Sequence, residues 1–462
     1  LTVRAGVLLS DNQNVSVVGG IMATTKFRGF RPVMAAVVSV GVVALSACSG
    51  GGGGGAAPSV GASAGGVVNI LVSSAPGSDA GFQAVNKAFT AANPGVTVNF
   101  SAVPNENYNQ ARSSRLTAGS VDVVVSLPRE VPSYIPAANA GDDARLADSG
   151  GFLDLTGQPF LSTFNPTVLD GTKYKGKNYA VPTGLSYYTG MFYNKKIFQQ
   201  NGITVPTTWQ ELVKACDTLK AKGLVPVGLA GKDSAGVTTL GVVQGLYPTA
   251  DAKNALAKGL YDGSVKLDEG KPLEVLTRLQ TLYGYAEPNF AGVNYATMTA
   301  DFVNGKFAMM GDGTWNTTTL QKSGGSSLDF GYFPLPSSDN ASDNKNLGGK
   351  VELSLAIPTN AKNPQAAINW LDFFAKNYAL FNDQAGFAPS VTGAKSNAFY
   401  TSIADSTAQF SPAWDTIWIP NTKAGPAASV PFNWAGVAPL GSLDAKAAAA
   451  AAQKDWMAGL AK

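Results

Sequence analysis

The chain alternates between short apolar runs and longer stretches in which apolar residues recur every three or four positions. The first run, "VVNILVS" (Val67 to Ser73), is continuous, as expected of a strand covered on both faces. Phe82, Val85 and Phe89 follow at i, i+3 and i+7, predicting a helix that Pro94 and Gly95 stop. "VTVNF" alternates Val96, Val98 and Phe100 as a second strand, and "VDVVV" (Val121 to Val125) reads as a third, fully buried one. After Tyr179 the unit recurs. "GMFYNKKIF" reads as a strand running into a helix, and Thr208 to Glu211 is a capping box opening a helix with Trp209, Leu212, Cys216 and Leu219 inward. "KVELSLAI" predicts one strand with Val351, Leu353, Leu355 and Ile357 on its buried face and Glu352 and Ser354 on the other. Helices are predicted over Pro364 to Lys376 and Leu443 to Leu460. Strands alternating with helices predict an α/β fold, and the recurrence makes two lobes the economical arrangement.

The N-terminal pattern differs. Lys26, Arg28 and Arg31 precede a nearly unbroken apolar stretch, Val33 to Leu45, and the small residues Ser46 and Ala47. That order predicts an export signal over residues 22–47; the stretch falls short of the roughly 20 apolar residues a spanning helix needs. Leu-Ser-Ala-Cys, ending at Cys48, resembles the bacterial lipobox, which implies that Cys48 is lipidated and becomes the first mature residue. Residues 1–21 precede Met22 and are expected to be an over-extended reading frame. Residues 48–66, almost all Gly, Ala, Ser and Pro, are expected to form a flexible tether.

Charge changes the picture only by subtraction. The chain has 34 basic and 31 acidic residues; four basic and one acidic lie before Cys48, leaving 30 of each. A basic surface for nucleic acid is therefore not expected. There is no histidine, which removes Ser-His-Asp and Cys-His catalysis and every zinc site built on imidazole. No metal or cofactor is expected. With Cys48 at the anchor, Cys216 has no disulfide partner and reads as a buried thiol. "GTKYKGKN" fits the spacing of a phosphate loop, but Asn178 stands where Ser or Thr would hold magnesium and no buried strand precedes it, so a hairpin is predicted.

Five stretches, in order, resemble the extracellular solute-binding proteins of ATP-binding-cassette importers, in the carbohydrate-binding group that includes maltose-binding protein. They are "FTAANPGVTVNF", "YAVPTGLSYYTGMFYNKKIFQQNGI", "PTTWQELVKACDTLKAKGLVPVGL", "DFVNGKFAMMGDGTWNTTTL" and "LAIPTNAKNPQAAINWLDFFAK". The resemblance implies two α/β lobes joined by crossing strands, with a solute held in the cleft between them. Residues 67–182 and 350–390 would form the N-lobe, and 183–349 and 391–462 the C-lobe. Crossings are expected near Pro182 to Ser186, near Lys350 to Leu355 and after Phe387. The implied partners are a carbohydrate and the permease subunits, the protein itself a monomer held by lipid on the extracellular face of the cell membrane.

Sugars present apolar C–H faces between hydroxyl edges, so a sugar cleft needs aromatic planes for stacking and neutral or acidic side chains for hydrogen bonds. Trp315 in "GDGTWN", on a loop after the strand "FAMM", matches the family's stacking tryptophan; the alternative is a core residue. Tyr187 and Tyr188 are adjacent on an extended segment, so at most one faces the cleft, and Tyr187 is preferred. Glu352 either accepts sugar hydroxyls or is solvated or ion-paired. Ser74, Ser126 and Arg129 lie just past strand ends, where open α/β sheets bind ligands; turn capping or solvation is their alternative. Trp434 is a further candidate in a tail, Ala388 to Gly441, that follows the family pattern loosely. Two other functions stay open: a lipid-anchored glycoside hydrolase, which needs two carboxylates and no histidine, and a receptor for a polyol or glycerol phosphate.

Overall fold

The computed structural model describes residues 57–61, 65–428 and 431–461. The predicted export signal and Cys48 lie outside the described residues. Three strands, β1 (Gly66–Ser73), β2 (Val96–Val103) and β3 (Val123–Val125), match the predicted runs, and a hairpin of β4 (Lys173–Tyr174) and β5 (Lys177–Asn178) stands where the phosphate-loop spacing occurred. The chain continues through β6 (Ala180–Val181), β7 (Gly184–Tyr187), β8 (Gly190–Asn194), β9 (Val225–Gly228), β10 (Phe307–Asp312), β11 (Phe330–Pro334), β12 (Gly348–Glu352), β13 (Leu355–Ala356) and β14 (Ser411–Pro412).

These strands form two lobes and a bridge. The first sheet has the order β2-β1-β3-β13-β6, with β1 parallel to both neighbours and β13 antiparallel to β3 and β6. Val68, Ile70, Leu71 and Val72 are all fully buried, because helices pack this sheet and leave β1 no solvent face. Helix Pro76–Ala92 inserts Phe82, Val85 and Phe89 as predicted, and Phe82 meets Phe381 at a ring separation of 4.7 Å. The second sheet, β11-β8-β10-β9, has its own core, which includes Leu212, Cys216 and Leu219 of the helix Trp209–Ala221 capped by Thr208. Burial pushes the Cys216 thiol up to about 12, as an inert structural thiol requires.

A small third sheet, β14-β12-β7, lies between the two. The chain passes from the first sheet to it through Pro182 and Thr183, between β6 and β7, and returns through Leu353 and Ser354, between β12 and β13. The segment after Phe387 runs alongside: Leu185 and Ala388 exchange backbone hydrogen bonds of 2.8 and 2.9 Å. A Cβ on Gly184 would meet Cβ of Phe387 at 2.6 Å, so glycine is what permits this approach. "KVELSLAI" is therefore not one alternating strand. Leu353 sits in the left-handed region at φ 35°, which breaks the strand, and both Glu352 and Ser354 are buried where the pattern put them outward.

The expected tether also differs in part. Residues 57–61 dock on the first lobe: the Asn369 and Gln158 side-chain amides donate to the carbonyls of Gly61 (2.6 Å) and Pro58 (2.9 Å). Small side chains leave this backbone open to such bonds. Among the described residues no helix is long and apolar enough to cross a membrane.

One buried ion pair shapes the end of β3. Arg112, on helix Asn105–Thr117, meets Asp143 at 2.6 Å, and the second Asp143 oxygen accepts the Leu127 N–H at 2.8 Å. Both side chains are buried, so removing one strands the other's charge. Arg112→Met is expected to lower unfolding free energy by about 3–5 kcal/mol in urea titration. A loss below about 1 kcal/mol would show that Asp143 is held independently of Arg112.

Candidate functional site

The bridge sheet sorts its side chains by period two. In register, Lys350 lies opposite Ser186 and Glu352 opposite Gly184. Leu185 and Tyr187 join an apolar cluster with Phe192 and Tyr332, while Ser186 and the residue after the strand, Tyr188, belong to the opposite face. There Ser186 Oγ donates to Glu352 Oε1, and Lys350 Nζ lies 3.3 Å from the same oxygen. The Lys350 ammonium stands 5.3 Å from the Tyr188 ring centroid and 4.9 Å from that of Trp315. The two rings are themselves 5.3 Å apart and tilted by 38°. Two aromatic faces and a cation thus share one buried corner, an arrangement favoured by the ring quadrupoles.

Trp315 is held from behind. Its indole N–H donates to Tyr295 Oη at 3.0 Å, and Tyr295 donates on to Asp312 at 2.9 Å. Asp312 ends β10 and also accepts from Asn316 Nδ2 and the Gly313 N–H, both at 2.7 Å. A Cβ on Gly313 would lie 2.5 Å from three indole carbons, so glycine lets the ring fold back over the turn. Burial outweighs these hydrogen bonds and pushes the Asp312 carboxyl up to about 7. Trp315 is half-buried, neither a core residue nor a free surface ring.

The first lobe faces this corner with the loop after β3. Ser126 N–H donates to the Ser354 carbonyl at 2.8 Å, continuing the β3–β13 pairing, and both serine hydroxyls are buried without a hydrogen-bond partner among the described residues. Arg129 reaches across to the carbonyls of Asp415 (3.2 Å) and Thr416 (2.7 Å). The Asp415 carboxylate in turn accepts from Tyr188 Oη at 2.7 Å; burial, chiefly, and that carboxylate hold the tyrosine well above its ordinary pKa. The indoles of Trp414 and Trp418 stack at 5.3 Å nearby in sequence, and neither N–H has a partner among the described residues.

The predicted residues separate accordingly. Trp315, Ser126 and Arg129 are brought to the junction. Glu352 reaches it as well, but as a buried partner of Lys350 and Ser186 rather than on an outward face. Tyr187 does not: it packs in the apolar cluster 6.5 Å from Tyr400, and burial pushes its hydroxyl up to about 12. Tyr188 takes the place beside Trp315. Leu185 signalled this, since a core leucine two positions before Tyr187 puts both on the core face. Ser74 is bonded away from the junction, its hydroxyl donating to the Asp79 carboxylate in the first turn of helix Pro76–Ala92. Trp434 is buried in the second lobe's core against Gly236, because the turn Trp434–Gly436 tucks under helix Gly236–Leu246. Lys350, Tyr295, Asp312 and Asp415 were missed, as each depends on partners distant in sequence.

Two α/β lobes joined by crossing strands, with polar and aromatic groups gathered at the junction, define a two-lobed binding protein. The family profile for bacterial extracellular solute-binding protein matches residues 73–459, and the chain belongs to that family. A relative named multiple sugar-binding protein, from Streptococcus mutans, is 26% identical over 326 residues, 69% of this chain and 73% of the relative. A putative binding protein of Brucella abortus is 27% identical over 70% of this chain and 76% of its own length. Among solved structures, RafE in complex with raffinose aligns with TM-score 0.68 at 20% identity, over 84% of this chain and 98% of that one. A chitin oligosaccharide binding protein aligns with TM-score 0.67 at 22% identity, over 86% and 100%.

The raised Asp312 pKa gives a signed expectation. A carboxyl protonated more readily folded than unfolded contributes stability fully below its unfolded value near 3.9 and loses it as pH rises through about 7. The melting temperature of wild type relative to Asp312→Asn should therefore fall between pH 4 and pH 8. A constant difference would mean that Asp312 titrates as an ordinary carboxylate.

Proposed function

We propose that the protein is an extracellular receptor that binds a sugar or oligosaccharide between its lobes and delivers it to an ATP-binding-cassette permease. The observation that carries this reading is the corner at Trp315. A half-buried indole is fixed by Tyr295 and Asp312 beside Tyr188 and Lys350; Glu352 pairs with Lys350, Asp415 accepts from Tyr188, and Arg129 bonds to the Asp415 carbonyl. Aromatic planes for C–H faces and charged groups for hydroxyls are the two requirements of sugar recognition. The names of relatives and the ligands of structural neighbours, raffinose and chitin oligosaccharide among them, favour the same class.

Binding rather than turnover is the role. A glycoside hydrolase needs a protonated acid and a second carboxylate free to reach the glycosidic bond. Asp312 has the raised pKa of an acid, but its oxygens are engaged by Tyr295, Asn316 and the Gly313 N–H, and it lies behind Trp315. We also propose that lipid on Cys48 holds the receptor at the membrane's outer face, a reading supported by the basic, apolar and Leu-Ser-Ala-Cys order before it. Cys48→Ala should then release the protein from the membrane fraction; retention there with an unmodified Cys48 in mass spectrometry would contradict it.

A thermal-shift screen against raffinose, stachyose and chitin oligosaccharides tests the ligand class. A ligand at 100 times its dissociation constant adds about 2.7 kcal/mol of stability, and the recovered glycan should be intact. Trp315→Ala is expected to weaken the affinity at least ~10-fold, since a stacked aromatic in a binding hot spot is worth about 2 kcal/mol. Its ligand-free stability should fall less than that of Trp370→Ala, a fully buried core residue whose truncation costs about 3–5 kcal/mol. Unchanged affinity would remove Trp315 from the site.

A further inference from the structure

We infer that Lys253 is a positioning residue for the ligand site, acting through β14 to set Asp415 against Tyr188; this rests on the sugar-receptor reading. Lys253 lies on helix Ala250–Asp262 and is 0% exposed. Its ammonium donates to Ser411 Oγ at 3.0 Å and to the Pro412 carbonyl at 2.8 Å. Those two residues are the whole of β14, which pairs in parallel with the crossing strand β12 through Gly348 and Gly349. One residue on, the Ala413 N–H donates to the Gly349 carbonyl at 2.9 Å, and the helix Trp414–Ile417 begins. Asp415 then accepts from Tyr188 Oη, and the carbonyls of Asp415 and Thr416 accept from Arg129 of the opposite lobe. A single buried lysine thus anchors the strand whose next residues reach both Tyr188 and Arg129.

Simple space-filling does not account for it. Burying an ammonium costs several kcal/mol, and its hydrogen bonds here are to a hydroxyl and a carbonyl rather than to a carboxylate. A methionine would occupy the same volume without that cost. What the lysine adds is direction, two donors that fix the β14 backbone, and a positive charge on the side of Asp415. The groups facing it are Ser411 and Pro412 from β14, Gln244 from helix Gly236–Leu246 through Ser411, and Asp415 from helix Trp414–Ile417. Asp415 is the charged one among these. Burial lowers the Lys253 pKa to about 8, with Asp415 opposing the shift, so the charge is present at pH 7 and lost by pH 9.

The test is calorimetric titration of wild type and Lys253→Met with whichever of raffinose, stachyose or chitin oligosaccharide gives the largest thermal shift, at pH 7, 8 and 9. The expected result is an affinity at least ~10-fold weaker in the variant, with a ligand-free melting temperature equal to or above wild type. Asp312, pushed up to about 7, titrates in both proteins, so the lysine is read from the ratio: the wild-type advantage over the variant should shrink from pH 7 to pH 9, Tyr188 being held well above its ordinary value. Equal affinities, or an affinity ratio that does not change with pH, would overturn the assignment. Should Lys253→Met not fold, wild-type affinity measured from pH 8 to pH 9, above the Asp312 transition, should still fall, and a flat profile there would overturn it. If none of the glycans binds wild type, the receptor reading fails on its own. The assignment is then read from ligand-free tryptophan emission above the Asp312 transition, which should change between pH 8 and pH 9 in wild type and not in Lys253→Met; the same change in both would overturn it.

Discussion

The register of β7 against β12 decides which side chains meet between the lobes. With Lys350 opposite Ser186 and Glu352 opposite Gly184, one face of this short ribbon is committed to charge and the other, through Leu185 and Tyr187, to an apolar core. A slip of one residue in β7 would place Tyr187 beside Trp315, and one in β12 would drive Lys350 into the cluster around Phe192, stranding an ammonium among aromatic rings. The register is fixed at one end, where the left-handed turn at Leu353 and the close passage of Phe387 over Gly184 flank the Glu352–Gly184 pair. The ribbon is thus both connection between lobes and wall of the candidate site.

Charge burial follows from that placement, and each charge is met by a different device. Glu352 has Lys350 and the Ser186 hydroxyl, a pair satisfied within its own sheet. Arg112 and Asp143 face each other directly, and the free lone pair of the aspartate takes the Leu127 N–H, so loop position and charge compensation come from one contact. Asp312 is hydrogen-bonded on both oxygens, and burial, with no cation within ion-pair distance among the described residues, raises its proton affinity. All of these groups adjoin the bridge or the strand ends that face it, where a polar ligand needs partners.

Much of the scaffold was legible in the chain, and the reason is local. The continuous run at Val67 to Ser73, the stripe of Phe82, Val85 and Phe89 and the Asn363-Pro364 start of helix Pro364–Lys376 depend on residues within one or two turns of each other. Trp315 was legible as well, because an apolar strand followed by "GDGTWN" leaves little choice about where the indole emerges. Tyr188 was misread for want of one further step, applying period two back to Leu185. Leu353 could not be read, since nothing adjacent demands a positive φ there; the strand breaks because its two halves join different sheets. Lys253 and Trp434 escaped for a related reason. A lysine on a polar helix face reads as solvated, and a tryptophan beside glycine and asparagine reads as a loop residue, until β14 and helix Gly236–Leu246 are placed against them.

Contacts between the lobes have a character of their own. Arg129 bonds to two backbone carbonyls, Asn139 Nδ2 donates to Tyr261 Oη at 3.3 Å, Thr422 Oγ1 donates to Asn139 at 3.2 Å, and the Tyr134 and Tyr261 rings lie 6.0 Å apart. Apart from the Arg129 guanidinium, the partners are neutral. A hydrogen bond of this kind contributes a net ~0.5–1.5 kcal/mol, because water replaces it when the contact opens. A handful of them therefore amounts to a few kcal/mol, the scale that separates two conformations of a switchable protein. The buried ion pairs lie elsewhere: Arg112 with Asp143 is internal to the first lobe, and Lys350 with Glu352 is internal to the bridge. Breaking either would cost far more than an interlobe hydrogen bond. In the receptor proposed above, the expensive electrostatics would stay intact while the cheap contacts open and close, and a ligand touching both faces of the junction would need only a modest differential affinity to decide which state is populated.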